Sequence, residues 1–292
     1  PSLQYFGHSS PLTSAVRILG GLDMQIIRRN SAATILPHPI VGLGNFERAH
    51  VGHRRSLSRV VDEARLHAGT AIALTFHPHP LTVIRPEQPV PLILGLREKV
   101  RRLEEVGIDC LVLQPFSPRF ARLNPETFVR EFLVERLHVA KIFVGQNFTF
   151  GHNREGTADV LAQLGDRFAF EVDVVAPVAV EEREVSSTLV RSLLRGGNMG
   201  DVASLLGDYY TLTGRVVTGF RRGRKIGFPT ANLRPKGALL LPSGVYAVRV
   251  LANDRSFKGV AIVGTNPTFG NEQKSVEAHL LNFSEDLYGH II

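Results

Sequence analysis

The sequence predicts an α/β protein with two domains, in which a parallel sheet is followed by a small antiparallel β-barrel. From about residue 36 to residue 175, short β-branched runs alternate with helical patterns, which is typical of a parallel sheet. From residue 209 onward, strands separated by Gly and Pro replace that alternation. We therefore expect the boundary near Gly207-Asp208, with domains at residues 24–207 and 208–292.

The first domain is predicted to have five strands with helices between them. Helical spacing covers residues 54–67 and 96–106. A third helix is predicted to begin at Asn124-Pro125-Glu126, because Asn caps a helix, Pro fits its first turn and Glu complements its dipole. It runs to about Leu137, with Phe128, Phe132 and Leu133 facing inward. The predicted strands are residues 40–46, 71–76, 110–113, 141–145 and 170–175.

Two short helices are predicted to precede the barrel. Ser186-Ser187-Thr188 opens a helix over residues 189–195, which the glycines at 196 and 197 end. Asp201 is predicted to cap a second helix that ends at Leu206. The barrel strands are then expected at residues 212–218, 244–251, 258–264 and 275–281.

The bulk composition is that of a folded globular protein. The chain has 292 residues, of which 43% are hydrophobic and 21% charged, enough for two domains with cores of their own. No apolar run approaches the roughly 18 residues needed to span a bilayer. Cys110 is the single cysteine, which excludes a disulfide within the chain and predicts a buried strand thiol in a reducing, cytoplasmic protein. Residues 1–23 lack the pattern of a secretory signal, and we hypothesise that Met24 is the natural start.

The net charge of +7 indicates an anionic partner. The basic residues crowd around glycines in motifs, and aromatic residues do not interleave with them as a stacking platform. This favours small phosphorylated ligands, with nucleic acid as the alternative.

A candidate phosphate site follows the first predicted strand. There, Gly44-Asn45-Phe46 leads to His50-Val51-Gly52-His53. A glycine-bearing turn between a strand and a helix places free N–H groups and a positive dipole end at the carboxyl edge of the sheet, where such sheets bind ligands. His50 and His53 are three residues apart and can face one pocket, and Gly52 leaves the backbone open to a phosphate. The alternative is a pair of surface histidines.

The residues Ser186, Ser187, Thr188 and Arg191 form a second anion motif. Hydroxyl groups at a helix N-terminus can bind phosphate, and Arg191, one turn further on, can reach pyrophosphate oxygens. The alternative is that the serines are ordinary helix caps. His77 and His79 follow the second strand in His77-Pro78-His79-Pro80, where pocket lining or a rigid proline turn is favoured over a metal site.

A third motif lies near the front of the barrel. The basic, glycine-rich segment from Gly219 to Gly227 includes Arg224 and Lys225 and can wrap a nucleotide. Pro229 then stiffens a stretch in which Thr230 and Asn232, two residues apart, point the same way in a strand. Their side chains offer the oxygen ligands that Mg²⁺ prefers.

Glu277 is the candidate general base of the barrel. Val276, Ala278 and Leu280 take the opposite face of its strand, so the carboxylate projects from the sheet and can accept a proton from an attacking hydroxyl group. On periodicity alone, an outward, solvated glutamate is an equal alternative.

Together these motifs resemble the nucleotidyltransferase superfamily, and in particular bacterial bifunctional riboflavin kinase/FMN adenylyltransferases (FAD synthetases). Gly145-Gln146-Asn147-Phe148-Thr149-Phe150-Gly151 and Val185-Ser186-Ser187-Thr188-Leu189-Val190-Arg191 match the adenylyltransferase module. The stretch from Arg222 to Asn232 and the motif around Glu277 resemble the riboflavin kinase signature.

The resemblance implies a Rossmann-like nucleotidyltransferase domain followed by a riboflavin kinase-like barrel. It further implies Asn147 near the flavin phosphate or ATP, His50 and His53 at the triphosphate, and Ser187, Thr188 and Arg191 on the leaving pyrophosphate. Glu277 corresponds to the base of the kinase. The implied partners are riboflavin, FMN, FAD and ATP with Mg²⁺, without nucleic acid or membrane; a homo-oligomer is left open.

The sequence departs from the family at two places. Glu47 and Arg48 replace the usual Asp-Gly before the histidine motif, which keeps open an enzyme with only one of the two activities. The family continues past Tyr288 with another strand and a helix, whereas this sequence stops at Ile292. We therefore expect either a fragment or a shortened barrel with an open edge.

Overall fold

The computed structural model describes residues 24–28, 36–46, 51–88, 91–176, 179–180, 183–219, 227–235, 239–253, 255–265 and 274–292, with residues 51–53, 179–180, 183–184 and 265 described by their backbone. The chain forms two compact units. The first comprises Pro1–Phe46, Arg54–Pro89 and Val100–Pro177; the second comprises Glu47–His53, Val90–Lys99 and Val178–Ile292.

A parallel sheet in the first unit and an antiparallel sheet in the second confirm the predicted fold class. The predicted domain boundary near Gly207 stays a prediction, and the hypothesis about residues 1–23 lies outside the described residues.

A six-stranded parallel sheet organises the first unit, with the order β1-β4-β3-β2-β5-β8. All five predicted strands are present, and one strand, β1, was not predicted. The two-stranded pair β6 and β7 follows β5. The strands are β1 (Gln25–Arg28), β2 (Pro39–Leu43), β3 (Thr70–His77), β4 (Cys110–Pro115), β5 (Lys141–Gly145), β6 (Thr149–Phe150), β7 (Gly156–Thr157) and β8 (Glu171–Val175).

The core of this unit lies where helices pack on the central strands. Gly42 in β2 lets α1 approach closely, because a Cβ atom at this position would lie 3.1 Å from Leu57 and 3.2 Å from Val60. Cys110 is buried as predicted, and burial raises the pKa of its thiol to about 12. The α-helices over residues 51–168 are α1 (Val51–Leu66), α2 (Pro80–Ile84), α3 (Leu96–Glu105), α4 (Pro125–Phe128) and α5 (Ala158–Phe168), and the 3₁₀ helices are Phe120–Arg122 and His152–Arg154.

The helix predicted from Asn124 to Leu137 differs from expectation. Asn124 caps α4 by accepting a hydrogen bond from the Thr127 N–H at 2.7 Å, but α4 ends at Phe128. A π-helix continues over Val129–Val134. Side-chain spacing cannot distinguish the two, because the wider π turn still buries Phe128 and Leu133.

The second unit combines two helices with a five-stranded antiparallel sheet of order β11-β12-β15-β14-β13. Val190 and Leu194 of α6 and Leu206 of α7 share one hydrophobic core with the sheet. Asn198, not Asp201, occupies the N-cap position of α7, and Asp201 lies in its first turn. The elements are β9 (Ala179–Val180), β10 (Arg183–Glu184), α6 (Ser187–Gly196), α7 (Met199–Leu206), β11 (Gly214–Val217), β12 (Ala231–Pro235), β13 (Gly244–Ala252), β14 (Arg255–Thr265) and β15 (Lys274–Leu280).

The last residues of the sequence pair with β11. The N–H of Gly214 donates to the carbonyl of Ile292, and the N–H of Ile292 donates to the carbonyl of Gly214, each at 3.1 Å. Arg215 and Ile291 form an antiparallel bridge. This segment therefore adds to the sheet beside β11. Within the described part of the chain, every helix is too short or too polar to cross a bilayer.

Candidate active sites

The parallel sheet has a topological switch point between β2 and β5. The chain proceeds from β2 through β3 to β4 in one direction, whereas β5 and β8 lie on the other side of β2. Open α/β sheets bind ligands at the carboxyl ends of the strands that flank such a point. Here those ends carry Gly44, Asn45 and Phe46 after β2 and Asn147 after β5. The structure thus brings these four predicted residues to one edge of the sheet.

The turn after β2 is held in place from both sides. The Gly44 N–H donates to the carbonyl of Leu74 at 3.1 Å, and the Thr75 hydroxyl donates to the carbonyl of Asn45 at 3.0 Å. Phe46 is buried, with a φ of 42° that is uncommon for a residue with a side chain. Its ring packs against Gly44, where a Cβ atom would lie 3.4 Å away. The buried ring of Phe46 therefore holds this turn in place.

The histidine motif is described only in part. Residues 47–50, which include His50, lie outside the described residues. Gly52 and His53 fall within the first turn of α1, which begins at Val51. The roles assigned to these residues from the sequence stay predictions.

A cluster of phenylalanines at the same edge of the sheet was not predicted from the sequence. Phe76 lies near the end of β3, Phe116 follows β4 and Phe148 follows β5, and all three are half-buried. Phe116 and Phe120 both contact Phe76, with ring centroids 5.7 and 5.9 Å from it. The sequence feature that could have identified them is the position of each Phe at or just past the end of a strand.

The side chain of His79 forms a hydrogen bond within its own segment. Its Nδ1 accepts a hydrogen bond from the Leu81 N–H at 3.2 Å, which caps α2. No group of three or more His, Cys, Asp or Glu residues in the described part of the chain could hold a metal ion. His79 therefore caps α2, and the preference for pocket lining or a rigid proline turn over a metal site at His77-Pro78-His79-Pro80 stays a prediction.

The anion motif around Ser186 lies at the start of α6, in the second unit. Ser186 is the N-cap, and its hydroxyl oxygen accepts a hydrogen bond from the Leu189 N–H at 3.2 Å. Ser187 and Thr188 occupy the first turn. The Nε of Arg191 donates to the carbonyl of Pro91 at 3.0 Å, so that backbone contact orients the guanidinium. Ser186 thus caps α6, and the predicted role of this motif in binding an anion stays a prediction.

The predicted kinase residues meet on one face of the antiparallel sheet. Asn232 of β12 lies directly opposite Glu277 of β15. The hydroxyl of Thr230, just before β12, donates to Oε2 of Glu277 at 3.2 Å. The intervening positions face the other way, since Leu233, Val276 and Ala278 are buried in the core. Glu277 is half-buried, and it is therefore not a fully solvated surface glutamate.

Gly219 makes room for the Asn232 side chain. A Cβ atom at position 219 would lie 2.3 Å from Nδ2 and 2.6 Å from Oδ1 of Asn232. Gly227 has a φ of 81°, which favours glycine, and leads into Pro229. Arg224 and Lys225 lie outside the described residues. Gly219 is thus a contact of the proposed metal-binding side chain.

The donors on this face suit a hard cation. Thr230, Asn232 and Glu277 offer a hydroxyl, an amide carbonyl and a carboxylate oxygen, and Mg²⁺ prefers oxygen ligands together with phosphate and water. The residues present therefore fit Mg²⁺ bound with a nucleotide phosphate.

Comparison with known proteins identifies two consecutive modules. A family model described as FAD synthetase matches residues 33–189, and one described as riboflavin kinase matches residues 206–292. The bifunctional riboflavin kinase/FMN adenylyltransferase of Escherichia coli K12 is 36% identical over 254 residues, covering 87% of this chain and 81% of that protein. The chain belongs to the bifunctional riboflavin kinase/FMN adenylyltransferase family.

Other members of the riboflavin kinase/FMN adenylyltransferase family are similarly related. The Bacillus subtilis protein is 33% identical over 258 residues, covering 87% of this chain and 81% of its own length. A crystal structure named as a macrolide-efflux protein from Streptococcus pneumoniae superimposes with a TM-score of 0.79 at 30% identity, covering 91% of this chain and 88% of that one. Efflux belongs to the name of that protein alone, and what the two chains share is fold and sequence.

The two family matches coincide with the two candidate sites. The FAD synthetase match contains the switch-point residues Gly44 and Asn147 and the start of α6. The riboflavin kinase match contains Gly219, Thr230, Asn232 and Glu277. Each module of a riboflavin kinase/FMN adenylyltransferase thus carries its own group of candidate residues.

Proposed function

We propose that this protein makes FAD from riboflavin in two ATP-dependent steps. Riboflavin is phosphorylated to FMN in the second unit, and FMN then receives AMP from ATP in the nucleotidyltransferase module. Two family matches and relatives that carry both activities in their names support the assignment. The observation that best supports the proposed kinase activity is the contact of Thr230 with Glu277 beside Asn232.

In the kinase step, Glu277 is the proposed general base. As the 5′-hydroxyl oxygen of riboflavin attacks the γ-phosphorus of ATP and the bond to ADP breaks, the carboxylate takes the hydroxyl proton. An ionised carboxylate has about four acceptor positions, so the hydrogen bond from Thr230 orients Glu277 without exhausting its capacity.

The oxygens of Thr230 and Asn232 are the proposed protein ligands of Mg²⁺. Bound there with ATP, Mg²⁺ would neutralise the charge on the phosphates. Gly219, Arg224, Lys225, Gly227 and Pro229 are proposed to hold the nucleotide, as the sequence motif indicates. The Pro229–Asn232 stretch would position the γ-phosphate beside Glu277.

An apolar strip next to Glu277 is a proposed surface for the flavin ring. Ile262 is the cross-strand neighbour of Glu277 and is 49% exposed, and Val245, opposite Ile262, is 72% exposed. Because they share the outward face with Glu277, a riboflavin whose ring covers them directs its ribityl chain toward the carboxylate.

In the adenylylation step, an FMN phosphate oxygen attacks the α-phosphorus of ATP and pyrophosphate leaves. The backbone of Asn45 and Phe46 and the side chain of Asn147 are proposed to bind substrate phosphates at the switch point, with Gly44 keeping the turn open to them. The half-buried rings at the ends of β3, β4 and β5 are proposed to contact the flavin. From the sequence motifs, His50, Gly52 and His53 are assigned to the triphosphate, and Ser186, Ser187, Thr188 and Arg191 to the pyrophosphate.

The assignment is tested by separating the two products. Glu277→Gln is expected to lower FMN formation from riboflavin at least about 100-fold, since it removes the base, and to spare FAD formation from supplied FMN. His53→Ala is expected to do the reverse. Chromatography of flavins after incubation with ATP and Mg²⁺ measures both.

The outcomes also separate the alternatives. A wild-type protein that forms only FMN, or only FAD from FMN, has one of the two activities. Loss of both activities in each folded variant contradicts the division, and RNA binding without flavin turnover contradicts the proposed function.

A further inference from the structure

The side chain of His279 contacts the segment that leads into β12. Its Nδ1 lies 2.8 Å from the carbonyl oxygen of Pro229. Because a carbonyl oxygen only accepts hydrogen bonds, the imidazole must donate, and its proton therefore lies on Nδ1. The ring also meets Phe228 edge-on, with centroids 5.5 Å apart and planes at 72°.

This contact lies next to the kinase residues. β12 begins at Ala231, so Pro229 and Thr230 lie outside its strand ladder. His279 follows Glu277 by two residues on the same face of β15. β15 thus contacts the incoming segment twice, through Glu277 at the Thr230 hydroxyl and through His279 at the Pro229 carbonyl.

We propose that His279 is a positioning residue of the kinase. Its Nδ1–H bond to Pro229 fixes the peptide group that joins Pro229 to Thr230, and thereby the place of the Thr230 hydroxyl relative to Glu277 and to a nucleotide-bound cation. His279 acts through Pro229 and takes no proton in the reaction. The inference rests on the kinase activity proposed above.

Two amide substitutions of His279 distinguish a role of the Nδ1–H donor from a role of Nε2 or of the ring. In His279→Asn, the amide nitrogen is the same number of bonds from Cβ as Nδ1 and can donate to Pro229. In His279→Gln, the amide nitrogen takes the approximate place of Nε2 and cannot. Both variants lose the ring contact with Phe228 equally, so a difference between them reports on the Nδ1 donor alone.

We expect His279→Asn to keep kinase kcat within about threefold of wild type and His279→Gln to lower it about tenfold, which corresponds to a lost hydrogen bond of roughly 1.4 kcal/mol. The loss in His279→Gln should also raise the KM for ATP–Mg²⁺ and leave the KM for riboflavin unchanged. FAD formation from FMN and the melting temperature show whether each variant is folded.

A second readout needs neither substrate nor metal. Long-range ¹H–¹⁵N NMR of the free protein should show His279 protonated at Nδ1. As a control, His290→Gln removes a histidine whose Nδ1 lies 3.1 Å from Oδ1 of Asn253, and it should leave the kinase unchanged.

Equal kinase activity of the Asn and Gln variants overturns the proposal, as does better rescue by Gln or an Nε2-protonated ring. These outcomes differ from failure of the proposed function itself, because in that case the wild-type protein forms no FMN from riboflavin.

Discussion

Gly219 matters at the scale of single residues because the Asn232 side chain occupies the space of its missing Cβ. Gly219→Ala must displace the Asn232 amide, which is a proposed Mg²⁺ ligand. An error of about 1 Å in such a position typically costs about 100-fold. We therefore expect Gly219→Ala to lower kinase kcat/KM by about 10- to 100-fold and to raise the Mg²⁺ concentration for half-maximal rate, measured by Mg²⁺ titration of FMN formation.

The control for this substitution is Gly200→Ala. Gly200 lies in α7 with nothing within 4 Å of an added Cβ, so alanine should be neutral or slightly stabilising. Unchanged kinase activity and Mg²⁺ dependence in Gly219→Ala would show that Asn232 does not need its observed place.

At the scale of elements, Asp109 joins α1, β3 and β4. Its Oδ1 accepts from Nη2 of Arg65 at 2.7 Å, and its Oδ2 accepts from Nη1 of Arg65 and from the Ala71 N–H, each at 2.8 Å. Burial, the largest single influence, raises the pKa of Asp109, but these hydrogen bonds and the Arg65 charge together hold it below the ordinary value of 3.8.

Asp109→Asn should lower the free energy of unfolding at neutral pH by about 1–2 kcal/mol, because an amide cannot accept from all of these donors. A group with a lowered pKa stabilises fully above its unfolded pKa, and that stability is lost as the pH falls through the folded pKa. The difference between variant and wild type should therefore shrink below about pH 4. Urea unfolding at several pH values measures it.

An exposed ion pair, Glu126 with Arg167, serves as the control for Asp109→Asn. Glu126 contacts Arg167 at 2.9 Å, with 44% and 61% of the side chains exposed, and Glu126→Gln should change stability by less than about 0.5 kcal/mol. If Asp109→Asn is equally mild, or its effect does not diminish in acid, the carboxylate does not join these elements.

The same elements show what the sequence could predict. The strands from β2 to β5 are continuous apolar runs between helical patterns, and β5 was predicted at its observed bounds, Lys141–Gly145. β1 lies at an edge of the sheet, where a four-residue strand has little pattern to detect. The π-helix after Phe128 depends on backbone hydrogen bonding, to which side-chain periodicity is nearly blind.

The parts of the candidate sites that could be predicted are those whose residues are spaced along one strand. Alternation predicted that Thr230 and Asn232 share a face, and the structure has them there with Glu277. The Pro229–His279 contact joins residues 50 positions apart, so no local pattern could predict it. The contact of Phe76 near the end of β3 with Phe116 after β4 depends on the strand order, which local patterns do not reveal.

At the scale of the whole molecule, each unit has a hydrophobic core of its own. The family matches do not overlap, with FAD synthetase at residues 33–189 and riboflavin kinase at residues 206–292, although residues 47–53, 90–99 and 178–189 of the first match belong to the second unit. Two reactions linked by FMN therefore need not share catalytic side chains. A defect in one site should leave the other able to work on FMN released by a second molecule.

Complementation tests this claim most directly. Glu277→Gln and His53→Ala proteins are incubated with riboflavin, ATP and Mg²⁺, each alone and then mixed, and FAD is measured by chromatography. We predict that each variant alone forms FAD at no more than about a hundredth of the wild-type rate, because the first makes too little FMN and the second does not adenylylate it efficiently, and that the mixture forms FAD at a rate far above either. FAD from either variant alone at a rate near that of wild type, or no gain in the mixture of two folded proteins, would contradict the division of the two reactions between separate sites.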